Sequence, residues 1–261
     1  MPDKTLYTSK LAGKRVVIFG GTSGIGFCVA EASIEHGATV IVSSSRPERV
    51  ESAVSRIRES YPSAKDRISG HVLDLSSPTV EDAIAAFFEK IGGPIDHIVY
   101  TAGDALNLRP LESTTLESIQ KVGAVRVFSA ILVAKHAVKY LAKSNKSSFT
   151  LTSGSAADRP HGKGWAVGSL YGAGEYGLAR ALSLEMAPVR VNVVSPGAVK
   201  TELWDSLPPG TFQALKEKFE STLLTGQIGD PQDVAEAYLY CMKDANVTGT
   251  VISTNGGELL V

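Results

Sequence analysis

Short apolar runs alternate with longer amphipathic stretches along nearly the whole chain, and this alternation most constrains the fold. Arg15-Val-Val-Ile-Phe-Gly20 is a continuous β-branched run closed by glycine, which predicts a strand buried on both faces. Residues 24–36 then carry helical periodicity, with Ile25, Val29, Ala30, Ala32 and Ile34 apolar and Glu31 and Glu35 polar. The pattern repeats with a strand over Thr39–Ser43 and a helix over 47–60 whose Val50, Val54 and Ile57 face inward. A strand at His71-Val-Leu73, a helix over 78–90, a strand over Ile95–Tyr100 and a helix over 115–143 follow. The last predicted elements are strands over Ser148–Thr152, Val189–Val194 and Thr250–Ser253, with a helix over 169–187. Strand–helix alternation of this kind predicts an α/β fold, a parallel sheet with helices on both faces. No linker, composition break or internal repeat interrupts it, so one domain is expected over residues 1–261.

Composition narrows the function classes. Hydrophobic residues at 43% against 20% charged predict a sizeable buried core rather than a disordered chain. With 26 Lys+Arg and 27 Asp+Glu the formal charge is −1, which argues against a nucleic-acid partner, since phosphate neutralisation needs a basic face. Cys28 and Cys241 are too few for a disulfide framework or a four-cysteine metal site. The histidines (His36, His71, His97, His136, His161) show no metal-ligand spacing. No apolar run reaches the ~18 residues of a membrane span. The polar segment from Met1 to Arg15 lacks a signal-peptide apolar stretch. A soluble, cytoplasmic protein acting on a small molecule, without membrane association, is expected.

Directly after the first predicted strand stands Gly20-Gly-Thr22-Ser23-Gly24-Ile25-Gly26, opening the first helix. Glycines there let the backbone turn tightly and approach a pyrophosphate, which rests on the helix N-terminal amides. Between a buried strand and an amphipathic helix this is the signature of a Rossmann-type, doubly wound dinucleotide site. The end of the second strand separates the two nicotinamide cofactors. NAD sites carry an acidic residue there, and NADP sites an arginine or hydroxyls. Here the stretch is Ser43-Ser44-Ser45-Arg46, with no carboxylate before Glu48. A guanidinium at Arg46, assisted by Ser44 or Ser45, suits a 2′-phosphate, so NADPH/NADP+ is expected over NADH.

These residues resemble the short-chain dehydrogenase/reductase family from about Leu11 to Gly257. The matching pieces are Gly20-x-x-x-Gly24-x-Gly26, Asp74-Leu75, Ala102-Gly103, Arg190-Val-Asn192, Pro196-Gly197 with Thr201, and Thr248-Gly249 with Gly256-Gly257. The resemblance implies that Asp74, beside Leu75, touches the adenine and that Ala102-Gly103 lines the cofactor. It also implies that residues 196–201, with Pro196, Gly197, Val199 and Thr201, cup the nicotinamide. Helix 169–187 commonly builds dimers and tetramers in the family, which implies a homodimer or homotetramer and places Glu175 and Tyr176 at a subunit contact.

The family's catalytic Asn-Ser-Tyr-Lys tetrad does not carry over. Gly174, Gly177-Leu178, Arg180-Ala181-Leu182 and Ala187-Pro188 match the family pattern without a gap, and in that register the Tyr falls on Gly168 and the Lys on Gly172. Reading Tyr171 as the Tyr instead puts Glu175 at the Lys, through a gap that would rotate the helix's buried face. The Asn position aligns with Arg126, and the Ser position with Gly154 or Ser155.

A ketone gains negative charge on oxygen as hydride arrives and needs a proton donor worth roughly 10²–10⁴ in rate. An iminium ion needs none, and a carboxylate that holds the cation helps instead. Asp158, four residues beyond Gly154, is the candidate for that role, with an exposed Asp158–Arg159 pair as the plain alternative. Arg126 on a helix interior is expected to point into the cleft, orienting Asp158 or binding a substrate carbonyl. This arrangement is similar to a divergent fungal branch of the family, the bifunctional NADPH-dependent reductase/Diels–Alderases of indole alkaloid biosynthesis. The similarity implies an atypical NADPH-dependent reductase of secondary metabolism, with or without an accompanying [4+2] cyclisation. Residues 203–225 would form the substrate lid, and Ser155, Trp165, Trp204 and Leu207 would contact a bulky, hydrophobic substrate. Two alternatives stay open: a pericyclase or isomerase that keeps NADP(H) as pocket wall, and a non-catalytic NADP(H)-binding sensor.

Overall fold

A computed structural model describes residues 4–104, 108–206 and 211–261. Seven parallel strands form one sheet in the order β3-β2-β1-β4-β5-β6-β7. In chain order these are β1 (Arg15–Phe19), β2 (Thr39–Ser44), β3 (Ile68–Val72), β4 (His97–Tyr100), β5 (Ser148–Thr152), β6 (Arg190–Pro196) and β7 (Val251–Thr254). The helices are α1 (Gly24–Glu35), α2 (Pro47–Ser60), α3 (Val80–Ile91), α4 (Leu116–Gly123), α5 (Ser129–Ala137), α6 (Ala166–Glu185), α7 (Thr211–Thr222) and α8 (Pro231–Lys243). The chain reverses its winding between β1 and β4, and the carboxyl ends of those strands define the ligand crevice of such a sheet.

The continuous apolar runs become the central strands because both faces are covered. On one face Phe19, Ile98, Tyr100 and Phe149 pack with Phe87 and Phe88 of α3 and with residues of α5 and α6. On the other Val16, Ile18, Val40 and Val42 pack with Phe27 and Val29 of α1 and with Tyr238 and Leu239 of α8.

Several boundaries differ from those predicted. The helix expected over 115–143 starts with a Thr115–Ser118 capping box and ends at Ala137, not at 143. Its last predicted turn unwinds because Tyr140 and Ala142 bond the backbone of Ile95 instead. Its middle, Ala124–Phe128, is a π-helical insertion. Helix α6 begins three residues earlier than predicted, at Ala166, and its glycines lie inside a regular helix. Strand β4 starts at His97 and β3 at Ile68. Helix α8 was not anticipated, although Asp230-Pro231 is a helix start and Val234, Tyr238 and Cys241 recur at helical spacing.

The Arg190-Val-Asn192 piece is structural. Arg190, only 3% exposed, donates to the carbonyls of Asn145, Cys241, Val247 and Met242 at 2.6–3.1 Å. Asn192 Nδ2 donates to the carbonyl of Val247 at 3.0 Å. Together they fasten the end of α8 and the following turn to β6. Arg190→Met leaves buried carbonyls without donors and is expected to cost on the order of 3 kcal/mol in urea unfolding.

Candidate active site

The crevice is built first by the glycine turn. Gly20 has φ +83°, and a Cβ on it would stand 2.7 Å from the backbone nitrogen of Ala102. A Cβ on Gly26 would lie 2.4 Å from both the Gly20 carbonyl and Thr101 Oγ1, so the first turn of α1 sits directly against the strand ends. Thr22 is buried in the turn, Ser23 is the N-cap of α1 without a side-chain cap bond, and Ile25 packs against the α1/α8 core. The first amide of the helix, Gly24 N, donates to Glu202 Oε2 at 2.8 Å. An anionic oxygen therefore already occupies the donor end of this helix, as its dipole favours. Thr201 closes over the same turn, with Cβ and Cγ2 3.2 Å from where a Gly24 Cβ would be.

The other sequence-predicted cofactor residues fall around this turn. Ser44 ends β2, Ser45 follows it, and Arg46 is the N-cap of α2. Arg46 is half exposed, and Glu48 holds it only loosely at 3.8 Å. Asp74 Oδ1 accepts from the Ser76 amide and hydroxyl, while Leu75 is buried in the core. Ala102 and Gly103 follow β4, Pro196 ends β6, and Gly197 lies against Asn255. Val199 bridges to Gly229.

Beside the turn opens a pocket with an empty volume of about 710 Å³, mouth included. Arg126, Ser153, Trp165, Tyr171 and Glu175 line it, together with Gly168 and Gly172. Both glycines face the cavity: a Cβ on Gly168 would lie 3.4 Å from the Trp165 ring, and one on Gly172 3.1 Å from Ala157 and 3.2 Å from Ser153 Oγ. A side chain at Gly172 would press on Ala157 and Ser153, so this position lets α6 approach the end of β5 closely, while Gly168 leaves the Trp165 ring uncovered. Tyr171 donates to the Ile119 carbonyl at 3.1 Å and packs edge-on to Phe128. Arg126 projects from the π-helical insertion, its Nη2 bonded to the carbonyl of Asp104, and its guanidinium lies over Gly103.

Three expectations change here. Asp158 does not meet Arg126. It is exposed, follows the short turn Ser155–Ala157 and accepts from Tyr176 Oη at 2.7 Å, while Arg159 bonds the carbonyl of Val261. Tyr176 also shares a hydrogen bond with Ser195 Oγ at 2.9 Å, so its hydroxyl is engaged within the chain. Glu175, 4% exposed, lines the pocket and is no surface residue. Burial pushes its carboxyl up to about 8, against the opposing pull of Arg126 and of a hydrogen bond with Ser153.

The predicted substrate residues divide. Trp165 is a pocket wall. Ser155 is buried and turns to Glu258, whose carboxyl is held below its usual range by His161 and Ser155 in spite of burial. Trp204 donates to the Val199 carbonyl at 2.5 Å and packs with Phe212 and Phe219, which makes it part of the 203–225 segment's own core rather than of the pocket lining. Leu207 lies outside the described residues. Among the described residues no cluster of His, Cys, Asp or Glu could hold a metal, and no helix is long and apolar enough to cross a membrane.

Comparison with known proteins agrees with this geometry. Residues 7–261 match the family model for the SDR-like Rossmann domain. The chain is 41% identical over 259 residues to the short-chain dehydrogenase/reductase fsr5 of Gibberella fujikuroi, covering 97% of each chain. The solved structure of the MalC reductase/Diels–Alderase from Malbranchea aurantiaca superposes with a TM-score of 0.91 at 41% identity, over 98% of this chain and 100% of that one. A small-chain dehydrogenase solved in complex with NADPH superposes with a TM-score of 0.78 at 28% identity, over 95% of this chain and 100% of that one.

Proposed function

The chain belongs to the short-chain dehydrogenase/reductase family of oxidoreductases, and on that premise we propose that it is an NADPH-dependent reductase of secondary metabolism. Its substrate is a bulky, largely apolar molecule carrying an iminium or a conjugated electrophile, with or without a [4+2] ring closure in the same pocket. The observation that carries this reading is the pairing of Arg126 with Gly168 and Gly172 in one cavity. A fixed cation lines the pocket, while the positions aligned with the family's Tyr and Lys carry no side chain. The name of the MalC relative supports the accompanying cyclisation.

The residues fit the cofactor. The close-packed glycines leave backbone exposed at the turn, and the helix that follows already attracts a carboxylate to its first amide. Gly20, Gly24 and Gly26 with Thr22, Ser23 and Ile25 would hold the pyrophosphate. Ser44, Ser45 and Arg46 would hold the 2′-phosphate, and Asp74, Leu75, Ala102, Gly103, Pro196, Gly197, Val199 and Thr201 would line the rest. Bound NADPH supplies hydride from C4 of its nicotinamide. On a conjugated carbonyl Arg126 orients the oxygen and stabilises the negative charge that develops there; with an iminium substrate it binds a carbonyl oxygen elsewhere on the molecule. Trp165 and Leu108 wall the pocket and exclude water from the reacting end. Asp158 acts from beside the pocket through its bond to Tyr176. The exposed Leu170 and Leu184 on α6, Ile131 on α5 and Val138 at its end are apolar surface that a second copy would cover, in keeping with a homo-oligomer.

Product analysis with NADPH deuterated at C4, against cyclic iminium and enone compounds, tests the reading. A product one mass unit heavier is expected. New product without the label would assign cyclisation or isomerisation, with the cofactor as part of the pocket wall. Arg46→Ala is expected to weaken NADPH binding by about tenfold or more, roughly 1.4 kcal/mol, and to leave NADH binding unchanged in a fluorescence titration.

A further inference from the structure

Glu175 is a buried carboxyl that the family's tetrad does not use, and it faces the ligand space rather than a structural cation. On α6 it follows Gly168, Tyr171 and Gly172 by seven, four and three residues, so all four share the helix face turned to the cavity. The Ser153 hydroxyl beside it donates to the Gly172 carbonyl at 2.9 Å, and Arg126, which lines the same cavity, is the positive charge that acts on it. The guanidinium itself is bonded to the Asp104 carbonyl and lies over Gly103, which fixes it in place without neutralising its charge.

We propose that Arg126 and Glu175 form a two-donor subsite for the oxygen of a carbonyl that gains negative charge, with Glu175 acting as a neutral carboxylic acid. This rests on the reductase reading above and selects within it: the electrophile is a conjugated carbonyl compound, whose charge collects on oxygen, rather than an iminium. Arg126 supplies fixed charge and Glu175 an O–H donor. The apolar walls at Trp165 and Tyr171 strengthen both by excluding water. Glu175 donates a hydrogen bond and keeps its proton.

The pH dependence follows from the surroundings. Glu175 faces Arg126 from the π-helical insertion, Tyr100 of β4, Tyr238 of α8, Asp104 after β4 and Tyr171 of its own helix. Burial drives the Tyr100 and Tyr238 hydroxyls well above their usual range, so neither titrates near neutrality. The Glu175 proton is the one lost near pH 8, and above that point a carboxylate would repel an anionic guest.

The test uses 2-naphthoate, an aromatic anion whose charge is constant from about pH 6 to about pH 10, titrated against the full-length chain with and without NADP+. Binding is expected to be flat below about pH 8 and to fall by close to tenfold per pH unit above it. Glu175→Gln is expected to bind with no slope, because its amide is a donor at every pH. Arg126→Met is expected to bind at least about tenfold more weakly and to show the same fall with its onset moved to higher pH, because the charge that lowers the Glu175 carboxyl is gone. The wild-type infrared spectrum, read in parallel on folded protein, should show a protonated carboxyl band that disappears as pH passes about 8. Absence of binding at neutral pH, a flat wild-type profile, a slope surviving in Glu175→Gln, or no such carboxyl band would each overturn the proposal. None of these outcomes bears on deuteride transfer, so the two readings fail separately.

Discussion

Gly26→Ala is expected to abolish NADP(H) binding, by about 100-fold or more, and to lower the stability of the chain by about 1–3 kcal/mol. The added Cβ would stand 2.4 Å from the Gly20 carbonyl and from Thr101 Oγ1. Neither neighbour can yield cheaply. Gly20 belongs to the turn that the cofactor would contact, its own N–H bonded to the Ser43 carbonyl at 3.0 Å. Thr101 is fixed by hydrogen bonds from its amide and hydroxyl to the Phe19 carbonyl at 2.9 and 3.0 Å. The methyl group therefore has to push α1 away from the ends of β1 and β4, which opens the cradle and unpacks part of the core together. Cofactor fluorescence titration and urea unfolding on the same protein separate the two losses. Gly174→Ala is the control: it is exposed on α6 with nothing within 4 Å of its Cβ, so it should stabilise the helix by about 0.5–1 kcal/mol and leave binding unchanged.

Arg126→Ala is expected to slow deuteride transfer by about 10²–10³-fold while NADPH affinity stays within about threefold. The guanidinium reaches the pocket but is bonded to Asp104 at the start of a loop, away from the glycine turn that would hold the phosphates. Its loss removes a fixed positive charge from the reacting end and leaves the cradle whole. Lysine does not restore it, because its compact ammonium lacks the planar fork that bonds the Asp104 carbonyl through one guanidinium nitrogen and presents the others to the ligand. The same substitution removes the one positive charge that lowers the Glu175 carboxyl, so that carboxyl moves further up from about 8. Single-turnover mass spectrometry and a cofactor titration give the two readouts. Full activity in Arg126→Ala would take this residue out of the reaction.

Most of the cofactor side was legible from the chain. Gly20, Gly24 and Gly26 announce themselves because a positive φ or a close backbone approach excludes every other residue, and that constraint is local. Arg46 could be placed because the residue after a strand is fixed by the strand itself. The substrate side was not legible in the same way. Asp158 has the right chemistry at a plausible distance along the chain, but a short turn carries it to Tyr176. Helix α8 is hard to read because Ala237–Met242 is a continuous apolar run that masks the helical period, and only packing against α1 shows which of its faces is inside.

The sequence by itself determined the parallel sheet, its covered faces and the position of the dinucleotide turn, since hydrophobic period and glycine sterics act over a few residues. Tertiary structure alone decided what the pocket can do. Periodicity places Glu175 on one helix face with Gly168 and Gly172, but a glutamate in such a pattern reads as solvent-facing. Its burial, its raised affinity for a proton and its opposition to Arg126 arise only where β4, β5, α6 and the π-helical insertion close on one another.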